Sequence, residues 1–223
     1  MAIGGLVLAA LMAAGLGWMG RPVMVLLPES PDSAPHTPSP IAISRTPHLG
    51  WWLAGAAFAQ VVIVALAIPT HLLPAWIIVC GVGTWLAYID WHTRVLPTRI
   101  IAPLFAVTAF VVLLEAWLVA DVSIFLRGLA GSALAFGSFW CLWWIADRRR
   151  SGSFGFGDVR FSAPLGMVLG SLGPWAAPVG LYLGFVVGAV IGLVLKARGQ
   201  SDGFAFGPAM LAGAVIGAVL SAA

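Results

Sequence analysis

Eight apolar stretches dominate the chain, at about residues 2–20, 51–69, 72–90, 99–120, 124–146, 159–173, 175–195 and 206–222. Most match the roughly 17–25 apolar residues that a helix needs to cross a bilayer core. The pattern predicts an all-α polytopic membrane protein of about eight transmembrane helices, forming one integral domain over residues 1–223. The sixth stretch is the shortest, which suggests that it starts in a water-accessible cleft rather than at the lipid surface. Between the first two stretches, residues 21–50 are rich in Pro and Ser (Pro28, Ser30, Pro31, Ser33, Pro35, Pro38, Ser39, Pro40) and too poor in apolar residues to fold alone, so a flexible loop is expected there. The first stretch lacks a basic flank before it and meets its first charge at Arg21, which reads as a retained helix rather than a signal peptide. Small residues four apart, such as Gly166 and Gly170 or Gly184 and Gly188, predict close helix packing.

Composition agrees with this pattern. The chain has 223 residues, is 61% hydrophobic and 9% charged, against about 25% charged residues in a soluble domain. A water-soluble globule is excluded. The net charge of +3 does not call for nucleic acid, because of where the cations fall. Arg21, Arg45, Arg94, Arg99, Arg148, Arg149, Arg150, Arg160, Lys196 and Arg198 collect on one side of the predicted bundle, and Arg127 stands alone on the other. That bias places loops 21–50, 91–98, 147–158 and 196–205 in the cytoplasm and both termini on the far side. Trp51, Trp52, Trp91, Trp143 and Trp144 fall at cytoplasmic span ends, where interfacial anchors belong.

Carboxylates in so apolar a chain need a reason. Asp90 ends the third stretch and Asp158 begins the sixth, so this topology sets both at one membrane face although they are 68 positions apart. Two carboxylates sharing a site hold one proton between them, which suits acid/base hydrolysis by water. Helix dipoles favour Asp158 as the resting base and Asp90 as the protonated partner. Gly155 and Gly157 before Asp158 would let another backbone approach closely. The plainer readings are Asp158 as an N-cap and Asp90 paired with Arg94 four residues on.

The flanks bring in a family. Asp90 with Leu96-Pro97 resembles the first catalytic motif of bacterial type IV prepilin peptidases, the GxGD membrane aspartic proteases. Gly155-Phe156-Gly157-Asp158-Val159-Arg160 resembles the second, and Phe206-Gly207-Pro208 a further signature. The resemblance covers roughly residues 74–222. It implies catalytic aspartates at Asp90 and Asp158, and substrate contacts at Gly155, Gly157, Phe206, Gly207 and Pro208. It implies a membrane aspartic endopeptidase that removes the leader of a pilin-like precursor at the cytoplasmic membrane face, cutting after a Gly. Thr98 departs from the family pattern, where an Asn often follows the Leu-Pro pair. The 21–50 loop also lacks the zinc-binding cysteine insert carried by many members, which implies cleavage without N-methyltransferase activity.

The partners implied are the bilayer and the precursor protein; no nucleic acid, metal or cofactor is called for, and the sequence is silent on oligomeric state. His36, His48, His71 and His92 have no metal-ligand spacing, and no GxSxG occurs. Cys80 and Cys141 form no CxxC pair and read as small buried hydrophobes. Glu115 is expected to pair with Arg127 across the outer turn, with Asp121 interfacial and Asp147 and Asp202 solvated. Arg160 either steers a polar group near Asp158 or simply anchors the cytoplasmic face. The alternative function is a small proton- or ion-coupled transporter. A transporter, however, places its key carboxylates near the midplane. A presenilin-like protease fits less well, since Gly207-Pro208-Ala209-Met210 departs from the Pro-Ala-Leu motif.

Overall fold

A computed structural model describes residues 3–27, 38–149, 155–199 and 204–222. Within them the chain forms α1 (Ile3–Val25), α2 (Pro40–Ser44), α3 (Leu49–Ala65), a 3-10 turn (Thr70–Leu72), α4 (Leu73–Thr93), α5 (Thr98–Leu118), α6 (Val122–Arg148), α7 (Phe156–Leu172), α8 (Ala176–Ala197) and α9 (Gly207–Ala222). No strand occurs among the described residues. Each apolar stretch becomes one helix. The Pro/Ser-rich segment contributes the short α2, whose first turn is capped by Ser39 accepting the Ala42 N–H at 3.2 Å. Pro28, Ser30, Pro31, Ser33, Pro35, His36, Arg150 and Asp202 lie outside the described residues.

Five helical segments are long and apolar enough to cross a membrane: Ile3–Val25, Thr70–Thr93, Thr98–Leu118, Val122–Arg148 and Ala176–Ala197. The helices α3, α7 and α9 are shorter, at 17, 17 and 16 residues. For α7 the reason is visible in its burial. Thirteen of its 17 residues are buried, on every side of the helix. A helix wrapped in other helices need not match the bilayer's thickness, and its backbone polar groups are satisfied internally. The outer helices show the reverse pattern. Phe110, Leu113 and Trp117 on α5 and Val190, Leu193 and Val194 on α8 are exposed, as a lipid-facing surface requires.

Small residues set the spacing. A side chain at Gly131 of α6 would run into the backbone of Gly166 and Gly170 on α7. One at Gly213 of α9 would strike the backbone of Gly184 on α8. With little hydrophobic driving force between helices in lipid, such close approach supplies the van der Waals contact that holds them together. The predicted close packing is therefore present, and it fixes α7 against α6 and α9 against α8.

The outer turn differs from expectation. Glu115 does not pair with Arg127. Its Oε1 accepts the Ala75 N–H at 3.0 Å, capping the start of α4, and the residue is buried. A helix start carries orphan N–H donors, so a nearby carboxylate finds them before a distant cation. Arg127 instead lies 3.9 Å from Asp121 and donates to Ser123 Oγ. Asp121 caps α6, and hydrogen bonds from the Ser123 hydroxyl and N–H hold its carboxyl below the usual carboxylate range. Replacing Glu115 by Leu strands the Ala75 N–H and is expected to cost about 1–3 kcal/mol. Glu115→Gln keeps the acceptor and should cost less, as thermal unfolding in detergent would register.

Cys80 is buried as expected, whereas Cys141 is exposed on α6. The difference follows from the helices: α4 is mostly enclosed, while α6 turns much of its circumference outward.

Candidate active site

Four helix ends meet on one side of the bundle: the last turn of α4 and the first turns of α5, α7 and α9. Asp90 belongs to the first of these. Its helix stops at Arg94, which takes a left-handed backbone (φ 55°) and returns its N–H to the Asp90 carbonyl at 2.8 Å. Arg94 makes no ion pair with Asp90, so the plain i,i+4 reading fails. The chain then runs through Leu96 and Pro97 into α5.

Asp90 is buried, with 5% exposure. Its Oδ2 accepts the Gly207 N–H at 2.7 Å. Gly207 is the first residue of α9, so a free donor of that helix start points at the carboxylate. A Cβ at Gly207 would lie 2.8 Å from the same Oδ2, which explains a glycine here on steric grounds alone. The hydrogen bond occupies one lone pair of Oδ2 and orients the carboxyl group. Helix dipoles alone take no account of this donor, which only the folding of α9 against α4 supplies.

Asp158 is buried as well, at 9% exposure. It lies in the first turn of α7, where the N-cap is Gly155 rather than Asp158. The simple capping account therefore does not explain it. Asp158 and Asp90 lie within electrostatic reach of one another, and their helices touch. The two glycines before Asp158 differ in what they permit. A Cβ at Gly157 would sit 2.7 Å from Leu96 Cβ, so the second motif is packed directly on the first. Among the described residues, a Cβ at Gly155 would meet nothing closer than Asp158 Oδ2 at 3.6 Å.

The remaining expected residues divide. Phe206 stacks among Phe139, Phe185 and Phe204, with ring centroids 5.4 Å from Phe185 and 5.9 Å from Phe139. That cluster anchors the segment entering α9. Pro208 lines an apolar groove of about 600 Å³ between α3, α4 and α9, together with Trp52, Ala87, Tyr88, Trp91 and Leu211. The groove thus starts beside both Asp90 and Gly207 in sequence. Arg160 is exposed, donates to Thr98 Oγ1 and places its guanidinium 4.6 Å above the Phe156 ring. Among the described residues no group of three or more His, Cys, Asp or Glu could hold a metal ion, and His92 instead contacts the Tyr88 carbonyl at 2.9 Å.

Residues 77–222 match the family model described as the type IV leader peptidase family. The chain belongs to that family. It is thus a peptidase and a multi-pass membrane protein, in a short form whose two cysteines, Cys80 and Cys141, lie within α4 and α6. No curated protein and no solved structure matches it. The match spans all three motif regions of this peptidase, from the helix bearing Asp90 to the end of α9.

The Gly207–Asp90 bond and the Arg160–Thr98 bond were not accessible to sequence reasoning. Each joins residues more than 60 positions apart, and neither leaves a periodic or compositional signal.

Proposed function

We propose that this peptidase is an aspartic endopeptidase of a bacterial cytoplasmic membrane that removes the leader from pilin-like precursors, with Asp90 and Asp158 as its catalytic pair. What supports the reading is the Gly207 N–H donated to Asp90 Oδ2, because it ties the third motif to the first at the carboxylate itself. The packing of Gly157 on Leu96 ties the second motif to the same place.

In the proposed reaction one carboxylate takes a proton from a water molecule, and the water oxygen adds to the scissile carbonyl carbon. The protonated partner donates to the carbonyl oxygen as charge develops there. The resulting diol collapses, the C–N bond breaks, and the departing amine takes up a proton from the pair. The other carboxylate takes a proton from a diol hydroxyl as that oxygen becomes the new carbonyl, so both carboxylates return to their starting states and no cofactor is consumed. The donor from Gly207 fixes the rotamer of Asp90 and keeps Oδ1 facing the reaction. The substrate backbone passes beside Gly155, while Gly157, Phe206 and Gly207 hold the walls. The precursor's apolar helix lies along the groove of Tyr88, Trp91, Pro208 and Leu211. Cutting just ahead of that helix suits a site at helix ends rather than at mid-bilayer.

The dyad faces the cytoplasm and both chain termini lie on the other side, in keeping with ten of eleven Lys and Arg residues on the dyad's side. Cleavage proceeds without N-methylation, since no cysteine pair is present in the 21–50 segment. The test is cleavage of a pilin-like precursor by the reconstituted peptidase, followed by mass spectrometry of the product. A single cut before the apolar segment is expected; an intact precursor in active membranes would sink the proposal.

Gly207→Ala probes the positioning bond. The added methyl displaces the Asp90 carboxylate, a side-chain terminus that can move, so the fold should survive. Cleavage should fall by about tenfold or more, equivalent to roughly 1.4 kcal/mol of lost transition-state stabilisation. Unchanged kcat/KM would remove the bond from the mechanism.

A further inference from the structure

A second groove, of about 540 Å³, opens between α5 and α6 over the side of α7. Its walls are apolar, with Ile101 and Phe105 on α5 and Leu129 and Phe136 on α6. Its one charged lining residue is Arg160, which sits with Thr98 at the same bundle end as the dyad. Phe136, Leu129, Ala102 and Ala133 are exposed, so the groove faces the surroundings of the bundle rather than its core. At 1.5 Å per residue, Thr98 to Phe105 spans about 10 Å, which sets a long apolar trough beneath a cationic mouth.

Arg160 has donors to spare. One nitrogen serves Thr98, the guanidinium face lies over Phe156, and no carboxylate pairs with it among the described residues. Arg99, also exposed, begins α5 beside Thr98. A cation with unused donors at the membrane face, continuous with an apolar trough, asks for a ligand with both parts. We propose that this groove binds one anionic phospholipid, its phosphate on Arg160 and Thr98 and an acyl chain along Ile101, Phe105, Leu129 and Phe136. Charge complementarity selects the anionic headgroup, and the leaflet on the cation-rich side supplies it. A free phosphate would leave the trough unused. A substrate helix is the poorer fit, because the lining includes neither Asp90 nor any residue of α9. The bound phosphate would steady Arg160 over Phe156 and so brace the start of α7.

The experiment is native mass spectrometry of the full chain in detergent, titrated with phosphatidylglycerol or phosphatidylcholine. One phosphatidylglycerol should be retained, with at least about tenfold preference over phosphatidylcholine. Arg160→Gln should abolish the preference while lipid of either kind still associates weakly. Ala133→Trp, at an exposed lining position, should block retention of both, with helix content by circular dichroism unchanged. Equal retention of the two lipids by wild type, or undiminished preference in Arg160→Gln, would overturn the proposal. So would displacement of the lipid by inorganic phosphate alone, or photocrosslinking from position 129 to a precursor's apolar segment instead of to lipid.

Discussion

Asp158→Asn and Asp90→Asn should each lower precursor cleavage by about 10²–10⁴-fold, the range that positioned acid or base groups contribute. Asparagine is nearly isosteric, and at position 90 its carbonyl oxygen can still accept the Gly207 N–H. Folding should therefore persist, and thermal unfolding in detergent should stay close to wild type. In the proposed reaction, what is lost is the proton that the pair passes between its members. Because both residues serve one step, the double variant should be little worse than either single one. The measurement is the initial rate of leader removal in reconstituted vesicles. Wild-type rates in either folded variant would end the dyad proposal and return Asp90 to a purely structural role at the start of α9.

Gly131→Leu should produce the largest loss of stability. A side chain at this position meets the Gly166 carbonyl and the Gly170 backbone, not a movable side chain. Relief requires α6 and α7 to separate along the seam that holds the buried α7. Overpacking of this kind costs about 1–3 kcal/mol, occasionally more. Since α7 carries Asp158, cleavage should fall together with the melting temperature. Gly137→Leu is the matched control on the same helix, because a Cβ there meets nothing within 4 Å. Equal stability of the two leucine variants would show that the seam is not as tight as its geometry implies.

The aspartates announce themselves because ionisable groups at apolar span ends are costly, and the positive-inside bias puts both on one face from sequence alone. The glycine spacing likewise signals tight seams. The outer turn is less readable. Glu115 and Arg127 invite pairing by charge, yet Glu115 caps α4 through Ala75, a partner 40 positions away. Asp158 looks like an N-cap from its place before an apolar run, yet the helix begins two residues earlier, since Gly155 already serves as the cap.

The apolar and charged patterning by itself determined the all-α membrane class, one helix for each apolar stretch, the shared face of Asp90 and Asp158 and the motifs that join the chain to its family. Those properties follow from bilayer thickness and the cost of charge in hydrocarbon, and both act locally along the chain. The tertiary structure alone decided that α7 is the enclosed helix, that Gly157 rests on Leu96 and that Gly207 donates to Asp90. These depend on where one helix end meets another across 60 to 117 positions of sequence, a distance over which hydrophobic periodicity carries no information. Two costly carboxylates on one face are legible in the sequence, and their surroundings exist only once the helix ends converge.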